Sequence, residues 1–99
     1  MIIVNKLGLH ARAAAKVVSI ASRFASDITL KKDNKNADAK SIMKILMLSA
    51  SKGSSIEIII DGNDQNEAMN AVVKLFKNGF DEGSWVLLLM AMVSLKVSA

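Results

Sequence analysis

The apolar residues of this chain switch between helical and strand spacing several times, and that alternation restricts the fold more than any other feature. Ile2, Ile3 and Val4 form a short β-branched run, read as a strand and broken at Gly8. From Ala11 to Phe24, the residues Ala14, Val17, Val18, Ala21 and Phe24 recur at helical spacing, with Lys16, Ser19 and Arg23 on other faces. Asp27 to Lys31 alternates polar and apolar, and a turn at Asp33-Asn34-Lys35 leads into a weak return strand at 36–39. Ser41 is placed to cap a short helix carrying Ile42, Met43, Ile45 and Leu46, which ends by Lys52-Gly53. Ile56, Ile58 and Ile60 alternate with Glu57, Ile59 and Asp61, and Gly62 stops that strand. Asp64 and Glu67 have capping-box spacing ahead of a helix whose buried stripe is Ala68, Ala71, Val72, Leu75 and Phe76, ending near Gly79. The order is β-α-β-β-α-β-α. Hairpins and amphipathic strands predict an α+β fold, with an antiparallel sheet covered by helices on one face.

Composition narrows the function classes. With no cysteine there is no disulfide framework, thiolate metal site or cysteine nucleophile. One histidine and scattered carboxylates leave no ligand set for a metal, and no cofactor is expected. A net charge of +4 suits an acidic protein partner or a phosphate group. With 4% aromatic residues it is too diffuse to argue for nucleic acid. The start lacks a basic region leading an apolar stretch, so no signal peptide is read and the expected location is cytoplasmic.

Residues 1–82 carry every charge but one, and we read them as the domain. Residues 83–99 are an apolar appendage with the single charge Lys96. Its unbroken run at 85–93 is far shorter than the roughly 20 residues of a membrane span. Packing as an extra element, a homodimer contact and a non-native extension are all compatible with such a segment, and burial against the domain or a neighbouring chain is favoured.

The one histidine, His10, sits where the first helical pattern begins, in Gly8-Leu9-His10-Ala11-Arg12-Ala13-Ala14-Ala15. A helix start offers backbone N–H groups without intrahelical partners and the positive end of the macrodipole. Both favour phosphate. Gly8 permits a tight turn, and Arg12 brings a fork of donors within reach of an anion on His10. A neutral imidazole is a competent nucleophile, so these residues suggest a reversible phosphohistidine. The rival reading, a lone surface or capping histidine, stays open on these residues alone.

The segment GLHAR followed by small residues, the helix ending ASRF, and AKSIMKILML, SKGSSIEI and DGNDQNEAMNAVVKLF in that order resemble the HPr family. These are the histidine-containing phosphocarriers of the phosphoenolpyruvate-dependent phosphotransferase system. The likeness runs from Ile2 to about Glu82. It implies an open-faced β-sandwich, βαββαβα, with a four-stranded antiparallel sheet covered on one face by three helices. It also implies a carrier of phosphoryl groups rather than a stand-alone enzyme. His10 would take the phosphoryl group on its δ1 nitrogen from Enzyme I and pass it to an EIIA protein or domain, with Arg12 stabilising it.

Ala13 stands where the family commonly has proline, a change that bears on subfamily. A nitrogen-branch (NPr-like) regulator is the alternative within the family, and a small basic RNA-binding α+β module the alternative outside it. The homologue lacking this histidine, Crh, is excluded by His10. Ser41 matches the serine modified by HPr kinase/phosphorylase, against the plain reading of a good N-cap. Ile42, Met43 and Leu46 match the partner-docking patch, with Met43 expected to be exposed and Ile45 buried. Lys16, Arg23, Lys40, Lys44 and Lys52 would form a basic rim. The N-terminus is a few residues shorter than is usual in the family, so a clipped first strand is expected.

Overall fold

The computed structural model describes residues 1–4 and 8–81. Helix α1 spans Ala11–Ala21, strands β1 and β2 Asp27–Lys32 and Lys35–Asp38, and helix α2 Ile42–Met47. Strand β3 at Glu57–Asp61 and helix α3 at Gln65–Lys77 follow, and a 3-10 turn occupies Gly79–Asp81. The expected succession is therefore present from α1 onward.

The sheet has the order β2-β1-β3, antiparallel throughout. Its register follows from side-chain alternation: Leu30 lies opposite both Ala37 and Ile58, and Ile28 opposite Ile60, on the face turned to the core. The other face carries Thr29 opposite Ile59 and Lys31 opposite Glu57. Asp33 turns the β1–β2 hairpin at φ 55°, a conformation aspartate tolerates.

Among the described residues the sheet has three strands where four are expected. Residues 1–4 run beside 53–56, with Ile3 N–H donating to Ser54 O (2.8 Å) and Gly53 N–H to Ile3 O (2.8 Å). Only Ile2 and Ser55 form a bridge. Four residues laid against a stretch that starts at Gly53, with its φ of 88°, are too few for a regular ladder.

Helix α1 packs against α2 on one side and α3 on the other. Ala13, Ala14, Val17 and Ala21 are its buried stripe, and Ala68, Val72, Leu75 and Phe76 that of α3. Phe76 and Phe80 meet edge to face at 4.9 Å and close the C-terminal end of the core.

Asp64 does not act through the capping box that its spacing with Glu67 predicts. It occupies the N-cap position of α3 but makes no side-chain cap hydrogen bond. Its carboxylate instead accepts from Ala25 N–H (2.8 Å), Ser26 N–H (3.0 Å) and the Ser26 hydroxyl. Gly62 N–H donates to Gln65 Oε1 (3.3 Å). A Cβ at Gly62 would lie 2.6 Å from Ser26 Cα, so this junction admits only glycine.

Candidate functional site

His10 is the N-cap of α1, in extended conformation, with its carbonyl accepting the first helical hydrogen bond from Ala14 N–H (2.8 Å). Its side chain folds back over the helix start. Nδ1 accepts the backbone N–H of Arg12 at 3.2 Å. An accepting Nδ1 puts the proton of the neutral ring on Nε2, leaving the lone pair of Nδ1 among the first amides of the helix. The ring is half-buried, and Arg12, one residue into the helix from Ala11, is exposed. The site thus combines a nucleophilic nitrogen, amide donors and a guanidinium within three consecutive residues.

Gly8 fixes how the chain enters this site. Its φ is 68°, and a Cβ there would lie 2.5 Å from Ala50 O and 2.7 Å from Ser51 Cα. The next residue, Leu9, donates its N–H to Ala50 O (2.8 Å). The turn before His10 is therefore seated on the backbone that follows α2.

At the other end of α1, Lys40 Nζ donates to Phe24 O (2.8 Å), so α2 begins where α1 finishes. The two helices run in opposite directions. Ser41, N-cap of α2 and acceptor of Lys44 N–H at 3.4 Å, lies roughly one α1 length from His10, about 16 Å for eleven residues. The structure does not bring those two residues together.

On α2, Ile45 is fully buried and Met43 is 69% exposed, as expected of those two, and Ile42 is 40% exposed. Leu46 is half-buried and packs on the core. Met47, which the sequence reading left out, is 70% exposed. It lies four residues after Met43, and that i, i+4 relation was the available signal. Ile42, Met43 and Met47 make an outward apolar row.

Two of the rim lysines reach backbone carbonyls. Lys40 bonds Phe24 as above, and Lys16 Nζ donates to Phe80 O (2.7 Å), fastening the 3-10 turn to α1. Lys32 likewise donates to Leu48 O (3.3 Å) and Ser49 O (3.1 Å) at the end of α2. Arg23, Lys44 and Lys52 are exposed. Among the described residues no group of acidic, histidine or cysteine side chains is placed to hold a metal ion, and no helix is long and apolar enough to cross a membrane. Residues 83–99 lie outside the described part of the chain.

The Asp64 carboxyl is held below its ordinary value of 3.8, first by the Ser26 hydroxyl and then by the Ala25 N–H, against a smaller opposing effect of burial. This group is structural and belongs to the α1–α3 junction rather than to the His10 site.

Residues 1–78 match the family model described as the PTS HPr component phosphorylation site. The phosphocarrier protein HPr of Xylella fastidiosa (strain 9a5c) is 49% identical over 82 residues, which cover 83% of this chain and 92% of that protein. The HPr-C-His crystal structure from Thermoanaerobacter tengcongensis superposes with a TM-score of 0.80 at 46% identity, covering 83% of this chain and 92% of that one. Crh of Bacillus subtilis is also similar, with a TM-score of 0.69 at 40% identity, over 75% of this chain and 85% of that one. With the family model spanning most of the chain and a relative at this identity matched almost end to end, the chain belongs to the HPr family of phosphotransferase-system phosphocarriers.

Proposed function

We propose that the chain carries a phosphoryl group on Nδ1 of His10, receiving it from Enzyme I and delivering it to an EIIA protein or domain of the sugar phosphotransferase system. The observation that supports this most directly is the hydrogen bond from Arg12 N–H to Nδ1 of His10. It leaves that nitrogen unprotonated and aimed at the helix start. In transfer, the Nδ1 lone pair forms the N–P bond as the donor's bond to phosphorus breaks, its electron pair staying on the donor. The proton remains on Nε2. The Arg12 amide is then inherited by a phosphoryl oxygen, so the charge meets a donor already in place. The Arg12 guanidinium adds positive charge on the same side. Delivery to EIIA is the reverse of loading. The carrier has no further reaction of its own.

Ile42, Met43 and Leu46, with Met47 beside them, are the apolar surface on which both partners dock. Lys16 and Lys40 contribute positive potential around it even with their ammonium groups on carbonyls. Ser41 is the regulatory position. Phosphate there, from HPr kinase/phosphorylase, would place about two negative charges at the edge of the docking surface and repel an acidic partner. A nitrogen-branch output uses the same chemistry and differs only in which Enzyme I and which acceptor are engaged. The RNA-binding alternative lacks support: Phe76 and Phe80 are core residues, and the three strands carry no aromatic side chain on which a base could stack.

The test is incubation of the full chain with phosphoenolpyruvate and Enzyme I, with detection of acid-labile, base-stable phosphate. Labelling that disappears in His10→Ala supports the carrier. Absence of labelling, with RNA binding indifferent to His10→Ala, overturns it. Parallel reactions with sugar-branch and nitrogen-branch Enzyme I separate the two outputs.

A further inference from the structure

We propose that the cleft between β2 and α2 binds a small organic phosphate monoester, and that the bound ligand keeps the partners of the carrier off Met47. The second half rests on the docking role given to Met47 above.

The cleft has a volume of about 360 Å³ and is lined by Lys35 and Asn36 of β2, Lys44 and Met47 of α2, and Leu48. Sites for small molecules run from about 300 to 1,000 Å³. Its walls are tied together. Helix α2 packs against β2, and Lys32 Nζ holds the end of α2 to β1 through Leu48 O (3.3 Å) and Ser49 O (3.1 Å). A ligand therefore meets a cleft already formed and has little to order.

The charge on those walls has one sign. Leu30 and Ala37 face each other on the core side, and two residues further along each strand Lys32 faces Lys35 on that same side. Like charges opposed across a ladder repel. Lys32 is relieved by its two carbonyls. Among the described residues no carbonyl or carboxylate takes the ammonium of Lys35 or Lys44, in contrast to Lys16, Lys32 and Lys40. No acidic side chain lines the cleft. Of the acids nearest in sequence, Asp38 accepts Lys40 N–H (2.9 Å) and Asp33 sits in the hairpin turn. An anion would relieve a repulsion that the fold leaves in place.

The third donor is main chain. Strand β2 is at the edge of the sheet. Ala39 N–H donates to Ile28 O (2.9 Å), so by register Ala37 and Lys35 are the residues that bond β1. Asn36 falls between them, and its N–H faces the open edge. Two ammonium groups and this amide, from a helix, a strand face and a strand edge, suit the three terminal oxygens of a phosphate better than a planar carboxylate. A monoester carries a charge of about −1.5 to −2 at pH 7, close to what two lysines balance. Met47, 70% exposed, offers an adaptable apolar wall to the carbon body of the ester, a contact that free phosphate cannot use. Met47 also belongs to the row with Ile42 and Met43, so a ligand against it covers one end of the docking surface.

NMR of the full chain, titrated with glycerol 3-phosphate, tests the site. The Asn36 amide and the Met47 methyl should shift saturably, with a Kd of about 1 mM. Lys35→Gln combined with Lys44→Gln should weaken binding about tenfold. Lys74→Gln combined with Lys77→Gln removes the same charge from α3 and should leave the Kd within about twofold. Succinate and inorganic phosphate should each bind about fivefold more weakly than the ester. No saturable shift up to about 20 mM overturns the proposal. So does an equal loss in the two double variants, which would show attraction to net charge alone. Succinate binding as tightly as the ester overturns the phosphate assignment, and inorganic phosphate doing so overturns the organic one. In loading by phosphorylated Enzyme I, glycerol 3-phosphate at twice its Kd should raise the apparent KM about threefold in the parent and leave Lys35→Gln unaffected. Binding without that rise overturns the exclusion of partners. If the chain is not loaded at all, the carrier reading itself fails, while the titration still decides whether the cleft binds the ester.

Discussion

The carboxylate of Asp64 accepts the Ser26 N–H and hydroxyl from 38 residues away, joining the start of α3 to the turn that leaves α1. The bonds hold the pKa of that carboxyl below its ordinary value in the folded state. A group held below its unfolded value adds stability that is fully present above about pH 4 and is lost as the pH falls through the folded value. Asp64→Asn should therefore be less stable than the parent near pH 7. The difference should narrow on acidification, as urea unfolding at pH 7 and pH 2.5 would record. A gap that stays constant across that range would show that the charge is irrelevant to the clamp.

Gly8→Ala combines a left-handed backbone with a Cβ driven against Ala50 O and Ser51 Cα. The conformational part alone costs about 1–2 kcal/mol, and the close approach adds to it. The substitution should lower the urea midpoint and, because His10 is only two residues on, slow loading of the phosphoryl group in the molecules that remain folded. Stopped-flow loading at a temperature well below the melting midpoint separates the two effects.

Ile45 and Met43 lie two residues apart on α2, and they predict opposite phenotypes. Ile45→Ala empties a fully buried site and should cost about 2–5 kcal/mol. Met43→Ala should change stability by less than about 0.5 kcal/mol, since that side chain is largely in water. It should nevertheless weaken association with Enzyme I. Chemical denaturation and titration calorimetry on the two variants would distinguish a packing role from a docking role.

At Ser41 the cap and the regulatory charge can be separated. Ser41→Ala removes the acceptor of a long bond to Lys44 N–H and should cost no more than about 1 kcal/mol. Ser41→Asp keeps a good capping group, so stability should be nearly retained, while the added charge slows loading by an acidic partner. Equal loading rates for parent and Ser41→Asp would remove the electrostatic basis of regulation at this position.

What could be read from spacing was local. Alternation in Ile28 and Leu30, and the stripes on α1 and α3, gave the sheet face and the helix faces, because burial of one side imposes its period on the residues. The contrast of Ile45 with Met43 came from the same reasoning. The clipped first strand that the short N-terminus predicts is represented, among the described residues, by the single bridge of Ile2 with Ser55 beside the turn at Gly53. Asp64 was misjudged because its partners, Ala25 and Ser26, lie on another element, and a capping pattern in sequence is silent about such competition. The ammonium groups of Lys16 and Lys40 were assigned to the surface for the same reason: carbonyls exposed at helix ends and turns attract long cationic side chains, and nothing near them in sequence announces it. The turn at Gly8 was legible. The pinning of that turn on Ala50 was not.

The opposite run of α1 and α2 puts the caps of the two helices at opposite ends of the layer. On the proposed function, occupancy of one cap would leave the other physically unobstructed, so neither modification would by itself erase the other. Any hierarchy between the two marks would then have to be enforced by a visiting protein broad enough to feel both, which would make the signal logic a property of the reader rather than of the messenger.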